Sequence, residues 1–192
     1  MRAVSMRWFL VSPILVLSSL QAGTASAQPG FRAWLDEGQA AAGTGTGSSA
    51  SGVAVMLLEP AQDRLTYTIT LQGLDLDGSQ TPADPDDDVT GLHFHAAPPN
   101  VNGGVVFGLI APNHDPDDLV IDPVAGTLTG AWEDTDSQPL NPQLANLLSG
   151  GLYLNVHTTG FAAGEIRGQV LPIVFVDGFE SGDTTAWSSA VP

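Results

Sequence analysis

Beyond residue 27 the chain is a succession of short runs in which apolar and polar positions alternate, separated by Gly, Pro, Asn and Asp. Residues 65–71 show the pattern most plainly. Leu65, Tyr67, Ile69 and Leu71 share one parity; Thr66, Thr68 and Thr70 share the other. A strand sends successive side chains to opposite faces, so this run predicts a strand with one apolar and one threonine face. Phe31, Ala33 and Leu35 repeat the alternation, and residues 53–58, 89–95, 105–110, 127–132, 152–157 and 165–171 supply further strands. Between the second and third runs, Glu59-Pro60-Ala61-Gln62-Asp63 has the chemistry of a hairpin loop. Residues 38–52 form a small-residue linker and residues 75–88 a loop rich in Asp and Pro. Helical spacing shows only in residues 141–149, through Leu144, Leu147 and Leu148, with Gly150-Gly151 as a stop. About eight short strands with turn signals between them predict an all-β domain. The expected architecture is an antiparallel Greek-key β-sandwich, immunoglobulin- or superoxide-dismutase-like, with one short helix. No internal repeat emerges.

The first 27 residues depart from this pattern. Arg2 and Arg7 precede an apolar run from Trp8 to Leu20, and Ala25-Ser26-Ala27 offers a signal peptidase its small residues. The expectation is a signal peptide over 1–27, cleaved before Gln28, and a secreted, periplasmic or cell-surface protein. A spanning helix needs roughly 20 apolar residues, so no membrane span is expected in the mature chain. A domain over 28–172 follows, then a polar tail over 173–192 with Phe179 and Trp187, read as a sorting signal or a frayed end. The sequence holds no cysteine, so in an oxidising compartment the domain must rest on its hydrophobic core.

Charge narrows the partners. There are 21 acidic residues against five arginines and no lysine; losing Arg2 and Arg7 with the leader takes the formal charge from −16 to −18. Such a surface repels phosphate backbones and anionic lipids, which argues against nucleic-acid or membrane binding. It attracts cations, although solubility alone also explains it.

The four histidines carry the candidate chemistry. His93 and His95 are two apart on a predicted strand and share a face, while Leu92 and Phe94 take the other. In Leu152-Tyr153-Leu154-Asn155-Val156-His157 the apolar positions place His157 away from the core as well. Three imidazoles on the outward faces of two strands could hold one metal ion if those strands are neighbours. His114, in Pro112-Asn113-His114-Asp115-Pro116, is a candidate fourth ligand from a loop. Asn155 and Arg167 are expected to support the ligands from behind. An all-imidazole set favours copper, with zinc the alternative. The run Asp84-Pro85-Asp86-Asp87-Asp88 offers oxygen ligands for calcium but lacks an EF-hand register, and a solvated acidic loop is the simpler reading.

Particular segments bear a family resemblance. Gly91-Leu92-His93-Phe94-His95, Asn102-Gly103-Gly104-Val105-Val106, Asn155-Val156-His157-Thr158 and Gly164-Glu165-Ile166-Arg167-Gly168-Gln169 resemble the CHRD domain, the repeat named after chordin. The likeness runs from Phe31 to about Leu171 and implies an extracellular β-sandwich, without implying an activity. The acidic insert over 75–88 and Ala96-Ala97-Pro98, where Gly-Pro is more usual, depart from the pattern.

A weaker resemblance is to copper–zinc superoxide dismutase, which has a His-x-His strand pair, a loop histidine and a late histidine in the order of His93, His95, His114 and His157. The disulfide cysteines and the zinc histidines of that family are missing. Arg167 stands either for its substrate-guiding arginine or for a strand arginine paired with Glu165 or a loop Asp.

Two functions therefore compete: an exported metal-binding module, and an extracellular structural or protein-interaction module without metal. A copper-dependent dismutase-like enzyme is a third, more distant alternative. No nucleophile elbow or phosphate-cradling loop stands in a credible context.

Overall fold

A computed structural model describes residues 28–111 and 117–173. Residues 1–27, 112–116 with His114, and 174–192 lie outside the described residues. Among the described residues nine strands form: β1 (Gly30–Leu35), β2 (Ser51–Leu58), β3 (Arg64–Gln72), β4 (Val89–Ala96), β5 (Gly104–Ile110), β6 (Val120–Asp122), β7 (Thr127–Glu133), β8 (Leu152–Thr158) and β9 (Ile166–Ile173). Each long run of alternation became a strand with its apolar parity inward. In β3, Leu65, Tyr67, Ile69 and Leu71 are buried and the threonines face outward. The strand without a counterpart in the pattern is β6, three exposed residues at the sheet edge and too short for alternation to register.

There are two short helices among the described residues, where the pattern predicts one. The expected one is α2 (Leu144–Ser149), entered through a 3-10 turn at Asn141–Gln143. Gly150 stops it in the left-handed conformation, at φ 73°. The other, α1 (Ala40–Gly43), is a single turn in which Ala41 and Ala42 adopt positive φ of 48° and 57°. Such a turn has no apolar periodicity to announce it.

All the strand pairs are antiparallel, in the order β5-β4-β8-β9-β1-β2-β3-β7-β6. The expected all-β antiparallel architecture is present as one continuous sheet that curls over on itself in a sandwich-like way. Its two halves meet at a short seam, where Gly30, Phe31 and Arg32 of β1 pair with Ile173, Pro172 and Leu171 of β9. The sheet curls until β4 and β5 face β7. Trp132 packs against Phe94 at 5.3 Å and stacks on Phe107 at 4.8 Å between ring centroids. The aromatic cluster joins Phe31, Met56, Leu58, Leu65 and Ile69 in one continuous core. Leu92, Phe94, Leu152, Leu154, Val156 and Ile166 all belong to it, which commits the other parity of β4, β8 and β9 to the opposite face.

The acidic insert is organised by one carboxylate. Asp75 is fully buried and accepts hydrogen bonds from the backbone N–H groups of Asp77, Gly78, Ser79, Gln80 and Thr81 at 2.7–3.2 Å. Burial pushes its pKa up, but the bonds from Thr81, Asp77, Gly78 and Gln80 outweigh that and bring it from 3.8 down to about 2. Asp87 and Asp88 lie close to Asp75. However, both Asp75 oxygens are already committed to the loop's own backbone, so this carboxylate closes the loop and is not presented to a cation.

Two consequences are measurable. Because the folded pKa of Asp75 is depressed, its stabilisation is complete above about pH 4 and is lost as pH falls toward 2. Asp75→Asn should lower the melting temperature at neutral pH and flatten the loss of stability across that acid range; parallel curves would exclude this role. Leu154→Ala, at a fully buried position, should cost about 2–5 kcal/mol in denaturant unfolding.

Candidate metal centre

The pairing of β4 with β8 builds the site. His95 lies opposite Tyr153, His93 opposite Asn155 and Gly91 opposite His157. His157 is thus diagonal to His93 on the same face, and the missing side chain of Gly91 leaves room for the His93 ring, which a Cβ there would meet at 3.0 Å. The neighbouring strands bring the three rings together, with centroids 5.0 Å apart for His93–His157, 5.6 Å for His93–His95 and 6.4 Å for His95–His157. One nitrogen from each ring lies within 4.8 Å of the other two. The face is not open to water. His93 and His95 are only 6 % and 8 % exposed, and His157 is half-buried.

Each ring is held by a main-chain carbonyl. His93 Nε2 contacts the Ala111 carbonyl, His95 Nδ1 that of Gly103 at 3.0 Å, and His157 Nδ1 that of Ala162 at 2.9 Å. A carbonyl oxygen only accepts, so in a neutral imidazole the nitrogen facing it carries the proton. The three carbonyls therefore fix three tautomers and leave the lone pairs on His93 Nδ1, His95 Nε2 and His157 Nε2. Among the described residues His93 Nδ1 and His95 Nε2 are buried without a hydrogen-bond partner. Asn155 Nδ2 donates to His157 Nε2 at 3.0 Å. Burial lowers the pKa of both His93 and His95 below the ordinary 6.5, and the neighbouring rings lower it further. At neutral pH both rings are thus kept in the form that can ligate.

Tyr153 is the residue the sequence reading passed over, although its parity with Asn155 and His157 marks it. Its ring stacks on His95 at 4.8 Å and 9°, and the Arg167 guanidinium lies over the ring, 3.3 Å from the centroid. Among the described residues, Arg167 pairs with neither Glu165 nor a loop aspartate through its side chain. It is 2 % exposed and donates to the carbonyls of Val101 at 3.0 Å and Pro98 at 3.2 Å. Only its main chain meets an acidic residue, bridging to Asp36. Glu165 accepts instead from Ser48 Oγ at 2.5 Å and Thr158 Oγ1 at 2.6 Å. A strand arginine without a carboxylate is held by carbonyl dipoles and an aromatic face, which its cationic, forked geometry suits. Packed there, it has no exposed guanidinium with which to guide a substrate. Its charge contributes to the lowered pKa of His95.

Arg167→Gln should accordingly raise the His95 pKa toward 6.5, as read by NMR titration of the imidazole resonances. An unchanged value would leave burial and the neighbouring histidines as sufficient causes.

No curated protein matches the chain. The model of the CHRD domain matches residues 31–170, from Phe31 in β1 to Val170 in β9, and so takes in His93, His95 and His157. The chain belongs to the CHRD domain family.

Proposed function

We propose that this CHRD-domain protein is exported and binds a copper ion through His93 Nδ1, His95 Nε2 and His157 Nε2. The observation that carries the reading is the pair of buried nitrogens on His93 and His95 that have no partner among the described residues. A buried acceptor left without a partner costs about 1–3 kcal/mol, and two in one cluster are an unusual burden for a domain without disulfides. An ion bound to both lone pairs removes the cost. Imidazole suits copper and zinc alike, and copper stands higher in the affinity order, so copper is the first choice and zinc the second. Three protein ligands leave a coordination position open. His114, three residues after Ala111 in the sequence, is the proposed fourth ligand. The sequence of residues 1–27 supports export, and among the described residues no helix is long and apolar enough to cross a membrane.

An interaction module is the second reading. It is favoured by the outer face of β9, β1 and β2, where Trp34, Val55, Leu57 and Leu171 are exposed around Arg32. A dismutase-like activity has less support, because Arg167 is committed beneath Tyr153.

Copper titration into untagged protein tests the proposal. Wild type should bind one equivalent, and His95→Ala should lose at least about tenfold in affinity, given a ligand's direct role. Equal affinity would remove the histidines from the function. Ligation requires neutral imidazole, so binding should hold at neutral pH and weaken as pH falls, with burial holding His93 and His95 below their ordinary pKa.

A further inference from the structure

The three candidate ligands are not equivalent. Among the described residues, His93 Nδ1 and His95 Nε2 have no partner, so their lone pairs are free. The lone pair of His157 Nε2 is already engaged by Asn155 Nδ2 at 3.0 Å. One lone pair serves an amide or an ion, not both. Resting on the metal reading above, we infer that Asn155 is a latch: it caps His157 when no ion is bound and makes the third coordination bond conditional. The site then takes up and releases its ion, a carrier or buffer site in contrast to one that holds a resident cofactor.

The surroundings of Asn155 allow both states. The residue is 8 % exposed, and its amide is pressed against Gly164, where any Cβ would collide with it. Gly164 adopts φ +114°, a conformation that glycine alone tolerates easily. The same Asn155 Nδ2 lies 3.5 Å from the Ala163 carbonyl. When the amide releases His157 it therefore has a second acceptor within reach, and no buried donor is stranded. His157 keeps its Nδ1–H on the Ala162 carbonyl throughout, so only one hydrogen bond changes hands. His157 is also the least buried of the three rings, which places the conditional ligand where an ion exchanges with solvent.

The latch is tested by copper release to an excess of chelator, followed by stopped flow. Asn155→Leu keeps similar bulk and removes the donor. It should bind copper more tightly and release it more slowly, by roughly 2- to 10-fold, the factor that one net hydrogen bond sets. In a His157→Ala background the same substitution should have no effect, because the capped lone pair is gone. In metal-free protein the substitution should also shift the His157 Nε2 nitrogen resonance. Asn155→Ala carries the same expectations if a melting curve shows that the leucine variant does not fold. Unchanged or weaker copper binding in the variant, or an unmoved His157 resonance, would overturn the latch and leave Asn155 as a positioning residue. Absence of stoichiometric copper or zinc from wild type and variants alike would instead overturn the metal reading, a result distinguishable from the first.

Discussion

In an antiparallel pair one residue opposition determines all the others, and a slip by a single residue turns every side chain to the other face. The register of β4 against β8 is therefore what the rest of the molecule depends on. With His95 opposite Tyr153, the apolar residues Phe94 and Leu154 meet across the pair on the inner face, as do Leu92 and Val156. That inner face anchors the register, since all four side chains are fully buried against Trp132 and the rest of the core. The histidines, which contribute nothing to the core, are placed by it. A slipped β8 would bury Asn155 and His157 among leucines and expose Leu154, so hydrophobic burial sets the register that brings the imidazoles together.

The polar residues of β9 complete what the register begins. Gln169 donates to the Ala97 carbonyl and Arg167 to those of Pro98 and Val101, so two side chains pin the loop after β4 along its length. The loop ends at Gly103, whose carbonyl fixes the tautomer of His95 and whose N–H donates to the Tyr153 hydroxyl. Gly103 must be glycine there, because a Cβ would collide with the Ala96 carbonyl. The Gly164–Gln169 run is thus scaffolding. It touches no lone pair of the cluster but decides which nitrogen His95 presents.

Much of this was legible in the chain because period-2 alternation is a direct image of burial. The parity of Leu65 to Leu71, or of Leu152 to His157, gave both the strand and its inward face. The common outward face of His93, His95 and His157 followed from the same parity, and the neighbouring positions of their strands came only with the topology. What parity cannot carry was missed. The curl into one sheet is set by the β9–β1 seam, a pairing between the two ends of the domain. The left-handed turn at Ala41 and Ala42 has no side-chain signature, and β6 is too short for a period. The partners of Arg167 escaped for another reason: charge pairing suggests a carboxylate, whereas the fold offers carbonyls and a ring. Asp75 was counted as one more acidic loop residue because its burial depends on a loop folding back over it.

The seam also has a mechanical meaning. The first and last strands of the domain lie side by side, with Gly30 opposite Ile173, so the chain enters and leaves the sheet at the same corner. A pull applied between those ends would load the hydrogen bonds of the seam one after another, as a zipper opens, instead of all together in shear. Only three residue pairs and the Asp36–Arg167 bridge join the halves in that line. Because Arg167 is itself part of the last link, tension that had opened the three seam pairs would next reach the support beneath His95.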